Sequence, residues 1–184
     1  MLDVTDEQIT LNELRIAAYH EAGHKMLYER FGGAGDAVVW RNQSGNPEET
    51  AWRGQFRPRT CPEAMQKVAR KQGFDVPPLP QNWKVLVGMG GLVAETILSG
   101  ETDDAGVLAD ILVSRIWNGE ASASDLALMN ISDIDNFALS YDSVDECMRV
   151  LRDGWSDVRQ EAECLIATCL PDASFKSTMC STLS

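Results

Sequence analysis

The sequence predicts a mainly α (α+β) fold in which helices gather round one small β-hairpin. Leu11 to Phe31 contains no Pro and only one Gly, and its apolar residues recur with the helical period. Asp36 to Phe56 instead reads as two short strands split by a polar turn. Most of the chain beyond residue 60 consists of apolar, helix-length segments separated by Gly, Asn and Pro.

The first helix is expected to open on a capping box, Thr10 with Glu13, and to run from Leu11 to Phe31 before Gly32 and Gly33. At about 100° per residue, Ile16, Ala17, His20, His24, Leu27 and Phe31 share one inward face. Ala37 to Trp40 and Ala51 to Phe56 are the expected strands, with a polar turn between them. Pro62 should begin a short helix ending near Lys71, and the prolines at 77, 78 and 80 then require an extended loop. A second apolar helix is expected from Trp83 to Leu98, closed by Gly100, with Gly88, Gly90 and Gly91 allowing a neighbouring helix to approach closely. Val107 to Trp117 makes a third helix, and Ser122 or Ser124 caps a fourth reaching about Phe137. One or two amphipathic helices interrupted near Gly154 should occupy 142–170, before a polar tail at 171–184.

Length and charge narrow the classes of function. With 184 residues, 44% of them apolar and 24% charged, residues 1–184 are expected to form a single domain. Sixteen Lys and Arg against 28 Asp and Glu give a net charge of −12, which disfavours nucleic acid and anionic membranes as partners. No apolar run is long enough to span a membrane, and the acidic start lacks the pattern of a secretory signal, so the cytoplasm is the expected location. Cys61, Cys147, Cys164, Cys169 and Cys180 contain no CxxC pair and read as reduced thiols filling helix faces.

The chain has two histidines, four residues apart, with a glutamate directly after the first: His20, Glu21, Ala22, Gly23, His24. Random placement would produce this HExxH pattern in roughly one such chain per thousand. On a helix the spacing stacks two imidazoles on one face, within reach of a single Zn²⁺ at about 2.0–2.1 Å. Glu21, about 100° round the helix, is then positioned to accept a proton from a water and return it to a leaving amine. Burying two histidines beside a glutamate without a metal would leave several polar groups stranded.

AAYHEAGHKML, then a hairpin, GGLVAETILSGE and ASASDLALMN together resemble the peptidase domain of the FtsH-type zinc metalloproteases, peptidase family M41. The resemblance covers about residues 10–140. It implies a helical HExxH zinc-metallopeptidase domain with a small sheet beside the active-site helix. His20 and His24 would be zinc ligands, Glu21 the general base, and Glu95 a glutamate close to the site that does not ligate the metal. The third ligand would be Asp125, at a helix start after small residues, or Asp110, which better keeps the family's spacing from the AE pair but sits within an apolar helical run. Trp52, Arg53, Gly54, Gln55 and Phe56 lie where the family has an edge strand near its substrate, and an extended peptide could add to it; an ordinary hairpin strand would read the same way.

No GxxxxGK[ST] pattern occurs, so the chain has no such phosphate-binding loop to drive unfolding of a substrate. The expected activity is therefore ATP-independent hydrolysis of a peptide or protein. A separate unfoldase or further copies of the chain are the other partners to consider. The competing expectation is an inactive relative that binds a peptide or partner through the same groove. A zinc deaminase would require a PCxxC element, which is absent.

Overall fold

The computed structural model describes residues 6–46 and 49–170. The first helix, α1 (Asp6–Arg30), starts a turn before the expected cap. Glu13 does not close a capping box: its carboxylate accepts a hydrogen bond from the Ala51 N–H at 2.7 Å and ties the helix to the hairpin. The C-terminus of α1 closes as a Schellman motif, with Gly33 N–H donating to Tyr28 C=O, Gly32 N–H to Glu29 C=O, and Gly32 at φ 84°.

Strands β1 (Ala34–Arg41) and β2 (Trp52–Thr60) pair antiparallel, with Val38 opposite Gln55 and Trp40 opposite Arg53. Both are longer than expected. The second strand continues through Pro58, which stands opposite Gly35, where the register shifts.

Helix α2 (Pro62–Lys71) matches its expected bounds, and a proline-rich loop leads to α3 (Trp83–Ser99), which ends at Gly100 with φ 70°. Asn82 precedes α3 without capping it and donates from its side chain to Ser143 and Glu146 on α6 (Tyr141–Asp153). Asp104 caps α4 (Ala105–Trp117) by accepting from the Gly106 and Val107 N–H groups. The fourth expected helix is much shorter: α5 (Ala123–Leu128) stops before Asn130, which adopts φ 57°. Ile131 and Phe137 reach the core from non-helical chain. Gly154 divides α6 from α7 (Trp155–Cys169), as expected, while the polar tail and Cys180 lie outside the described residues.

The core is centred on the crossing of α1 and α3. A Cβ at Gly23 would meet the Gly90 carbonyl oxygen at 2.5 Å, so the glycines permit direct backbone contact between the helices. Helix α1 also packs on α7 and both strands, and α3 packs on α5 and α6. The packing of α7 buries Tyr19, off the expected inward face, against Trp155, whereas Ile16, expected inside, is exposed. Among the described residues, no helix is long and apolar enough to cross a membrane.

Candidate metal centre

Two turns of α1, the middle of α3 and the first turn of α5 meet at one buried point. His20 and His24 project from α1 with their Nε2 atoms 3.0 Å apart. Asp125 comes from α5, its Oδ1 3.4 Å from His24 Nε2 and its Oδ2 3.8 Å from His20 Nε2. Among the described residues, these three form the group of His, Cys, Asp and Glu side chains able to surround one ion. Asp110 lies outside it, exposed on α4.

The far side of each imidazole is fixed. His24 Nδ1 is 2.7 Å from the Val87 carbonyl oxygen, which can only accept, so Nδ1 carries a proton and Nε2 presents a lone pair when the ring is neutral. His20 Nδ1 donates to Glu95 Oε1 at 2.5 Å, and Glu95 is also paired with Arg115. Arg115 in turn reaches Glu120 at 2.6 Å. Ser122 donates both its N–H and its hydroxyl to Asp125 Oδ2, at 3.1 and 2.7 Å, leaving Oδ1 directed at the histidines. The Asp125 N–H returns a bond to Ser122 Oγ, completing the capping box that opens α5.

Two imidazole lone pairs and a carboxylate converging in a buried space repel one another unless a cation lies between them. Without a metal, that cation must be a proton. Burial lowers the basicity of His20, but Asp125 and Glu95 outweigh it and raise its pKa to about 10. Burial and the adjacent charged His20 depress His24 to about 4. Burial alone would raise Asp125, yet the two histidines and Ser122 hold it at about 2. The same donors suit a tetrahedral metal, since bonds of about 2.0–2.1 Å place ligand atoms roughly 3.3 Å apart. Imidazoles anchored through Nδ1 to a carboxylate and a carbonyl are also characteristic partners of zinc.

Glu21 is buried beneath β2, and burial raises its pKa to about 7, partly offset by His20 and the Phe56 N–H. A Cβ at Gly54 would approach Glu21 Oε1 to 2.5 Å, so the strand can pass over this carboxylate only with glycine there. Among the described residues β2 pairs with β1 alone, which leaves its other edge unpaired. Trp52, Gly54 and Phe56 are half-buried, whereas Arg53 and Gln55 face out. The Trp52 indole N–H is buried with no hydrogen-bond partner among the described residues.

The structure therefore brings His20, Glu21, His24, Glu95, Asp125, Gly54 and Phe56 into one neighbourhood. The Val87 carbonyl and Arg115 complete it, and neither is signalled by the sequence. A backbone acceptor has no residue-type signal, and Arg115 meets Glu95 only through the packing of α4 against α3. No protein-family model matches this chain, and no relative was found among the curated proteins.

Proposed function

We propose that this chain is an ATP-independent zinc metallopeptidase of the M41 type, with His20, His24 and Asp125 holding the metal and Glu21 acting as general base. The observation that carries this reading is the convergence of two Nδ1-anchored imidazoles and the free Oδ1 of Asp125 on one point. The HExxH spacing and the ordered resemblance to M41 peptidases support it. On this reading the helices and hairpin form a helical zinc-peptidase domain.

When bound, zinc would supply Lewis-acid polarisation of a carbonyl and lower the pKa of water. The chain's own groups do the rest. The unpaired edge of β2 holds an extended peptide through main-chain hydrogen bonds, placing its carbonyl beside the histidines. The Glu21 carboxylate takes a proton as water forms the new C–O bond. It gives that proton to the amide nitrogen as the C–N bond breaks. Burial raises its basicity toward neutral pH, as such a base requires. The Glu95–Arg115 pair holds the His20 ring in place.

The test is metal analysis combined with hydrolysis of an unfolded protein. Wild type and Glu21→Gln should each carry close to one zinc per chain, while the substitution lowers hydrolysis by about 10²–10⁴-fold. Zinc retained in both His20→Ala and His24→Ala would overturn the site. Bound zinc without turnover of a broad substrate panel would favour a peptide-binding module instead.

A further inference from the structure

Lys and Arg are unevenly placed in this acidic chain. Seven of the sixteen lie between Arg53 and Lys84, among only two of the 28 acidic residues, so a net charge of +5 sits within a chain of net −12. This segment contains β2, α2 and the proline-rich loop. Arg53 and Arg57 project from the outward face of β2; Arg53 is paired with Glu49 at 2.5 Å, whereas Arg57, Lys67 and Lys71 are exposed with no carboxylate partner among the described residues. Helix α2 buries only Pro62, leaving Met65 and Val68 exposed beside its basic residues.

A groove of about 640 Å³ lies between α2 and the start of α3, its lining including Lys67, Arg70, Lys71, Leu79 and Trp83 together with Glu63, which Lys84 neutralises at 3.1 Å. Ring contacts connect it to the catalytic strand, since Tyr28 meets Phe56 at 5.1 Å and Trp83 at 6.0 Å. Beyond Thr60 the chain passes through Cys61 directly into α2. A peptide added to the β2 edge alternates its side chains between the two sheet faces, placing every second one beside Arg53 and Arg57. Its continuation past Thr60 meets Lys67 and Lys71.

We infer that this basic strip selects extended substrates bearing acidic side chains, Arg57 taking a carboxylate beside the cleavage site and Lys67 and Lys71 those further along. The inference rests on the peptidase reading for its cleft, but concerns recognition and is measurable without turnover. Dispersed acidity elsewhere on the chain would repel the same peptides, confining their binding to this strip.

The experiment uses two labelled peptides of equal length with one shared apolar centre, flanked by Glu in one and Lys in the other. Binding is followed by fluorescence anisotropy on the zinc-loaded Glu21→Gln full chain, and kcat/KM is measured on the wild type. The Glu peptide should bind about fivefold tighter at low salt, with the preference shrinking as the Debye length falls from about 10 Å at 0.1 M to about 3 Å at 1 M. Introducing Arg57→Glu, Lys67→Glu and Lys71→Glu together should reverse the preference. Arg159→Glu, on α7, should leave it intact. Equal binding of both peptides, or a preference that survives the triple substitution, would overturn the inference. Equal cleavage of both would leave the peptidase standing and this inference refuted. Preferential binding of the Glu peptide without cleavage would support the inference and sink the peptidase.

Discussion

The seam where α1, α3 and α5 meet and the shoulder formed by β2 and α2 are built on opposite principles. In the seam, glycines bring backbones into contact, and every imidazole and carboxylate of the candidate centre has a fixed partner. On the shoulder, α2 buries a single proline and leaves Met65 at 44% and Val68 at 48% exposure. Ligating atoms require placement within fractions of an ångström, which packing supplies. A surface that receives varied extended chains needs charge and backbone edges more than close packing. On the proposed reading chemistry and recognition would be separated along β2, whose Gly54 and Phe56 belong to the seam and whose Arg53 and Arg57 belong to the shoulder.

The largest expected effect tests the seam at its third ligand. Asp125→Ala should weaken zinc binding by more than the roughly 10–100-fold that loss of a supporting outer partner costs, because a donor itself disappears. Asp110→Ala, on an exposed turn of α4, should leave affinity unchanged. Chelator competition on both variants, with circular dichroism to verify folding, decides the matter; the opposite pattern would make Asp110 the ligand. Next in size is Gly23→Ala. The new methyl would press on the Gly90 carbonyl, which cannot rotate away, and on the Ala94 Cβ at 2.7 Å. Overpacking of this kind costs about 1–3 kcal/mol or more, beyond the roughly 1 kcal/mol gained from replacing a helical glycine. Denaturant titration should show a clear net loss of stability; an increase would mean that the α1–α3 crossing can open without cost.

The seam is the more legible region in the sequence, and the reason is local periodicity. An i, i+4 histidine pair is a statement about a helix face, and Asp125 follows a serine cap, so both can be read without knowing which helices touch. Glu95 and Asp125 are attached to the site by resemblance, and the packing brings both to the histidines. What stays hidden is long-range. Glu13 leaves its expected cap for Ala51, 38 residues away, and Arg115 meets Glu95 across two helices. Helix α5 is shorter than expected because Asn130, at φ 57°, turns the chain out of the helix. Tyr19 is buried because α7 closes over a second side of α1.

A third prediction sharpens the contrast through pH. In the metal-free protein, the Glu21 carboxyl has a pKa of about 7 when folded and about 4.5 when unfolded. The folded state holds its proton more tightly, so stability from this group is greatest below pH 4.5 and falls as pH rises through 7. Glu21→Gln has no such penalty. Metal-free Glu21→Gln should match the wild type near pH 4 and exceed its stability by about 3–4 kcal/mol above pH 8, at roughly 1.4 kcal/mol per pKa unit. Urea titrations across this range check it. A stability difference independent of pH would show that the buried carboxylate is not the source. The outcome would identify Glu21 as a residue held against its own folding preference, as catalytic groups often are.

The smallest expected effect belongs to the shoulder. Met65 and Val68 lie on the exposed face of α2, and almost half of each residue's surface stays in water in the folded chain. Replacing them with Gln and Thr removes little buried area, so the double variant should keep its stability within about 0.5 kcal/mol of wild type. By contrast Leu27, fully buried where a Cβ at Gly90 would meet its Cδ1 at 2.6 Å, should cost about 2–5 kcal/mol when truncated to Ala. Thermal unfolding of the two variants side by side measures that asymmetry directly. If the Met65 and Val68 pair proved as costly as Leu27, α2 would be a packed structural element and the division between a rigid seam and an open shoulder would fail. If stability holds while the Glu-flanked peptide binds less tightly, those apolar side chains contribute to recognition at little cost to the fold, and the shoulder's exposed face has a purpose that core packing cannot supply.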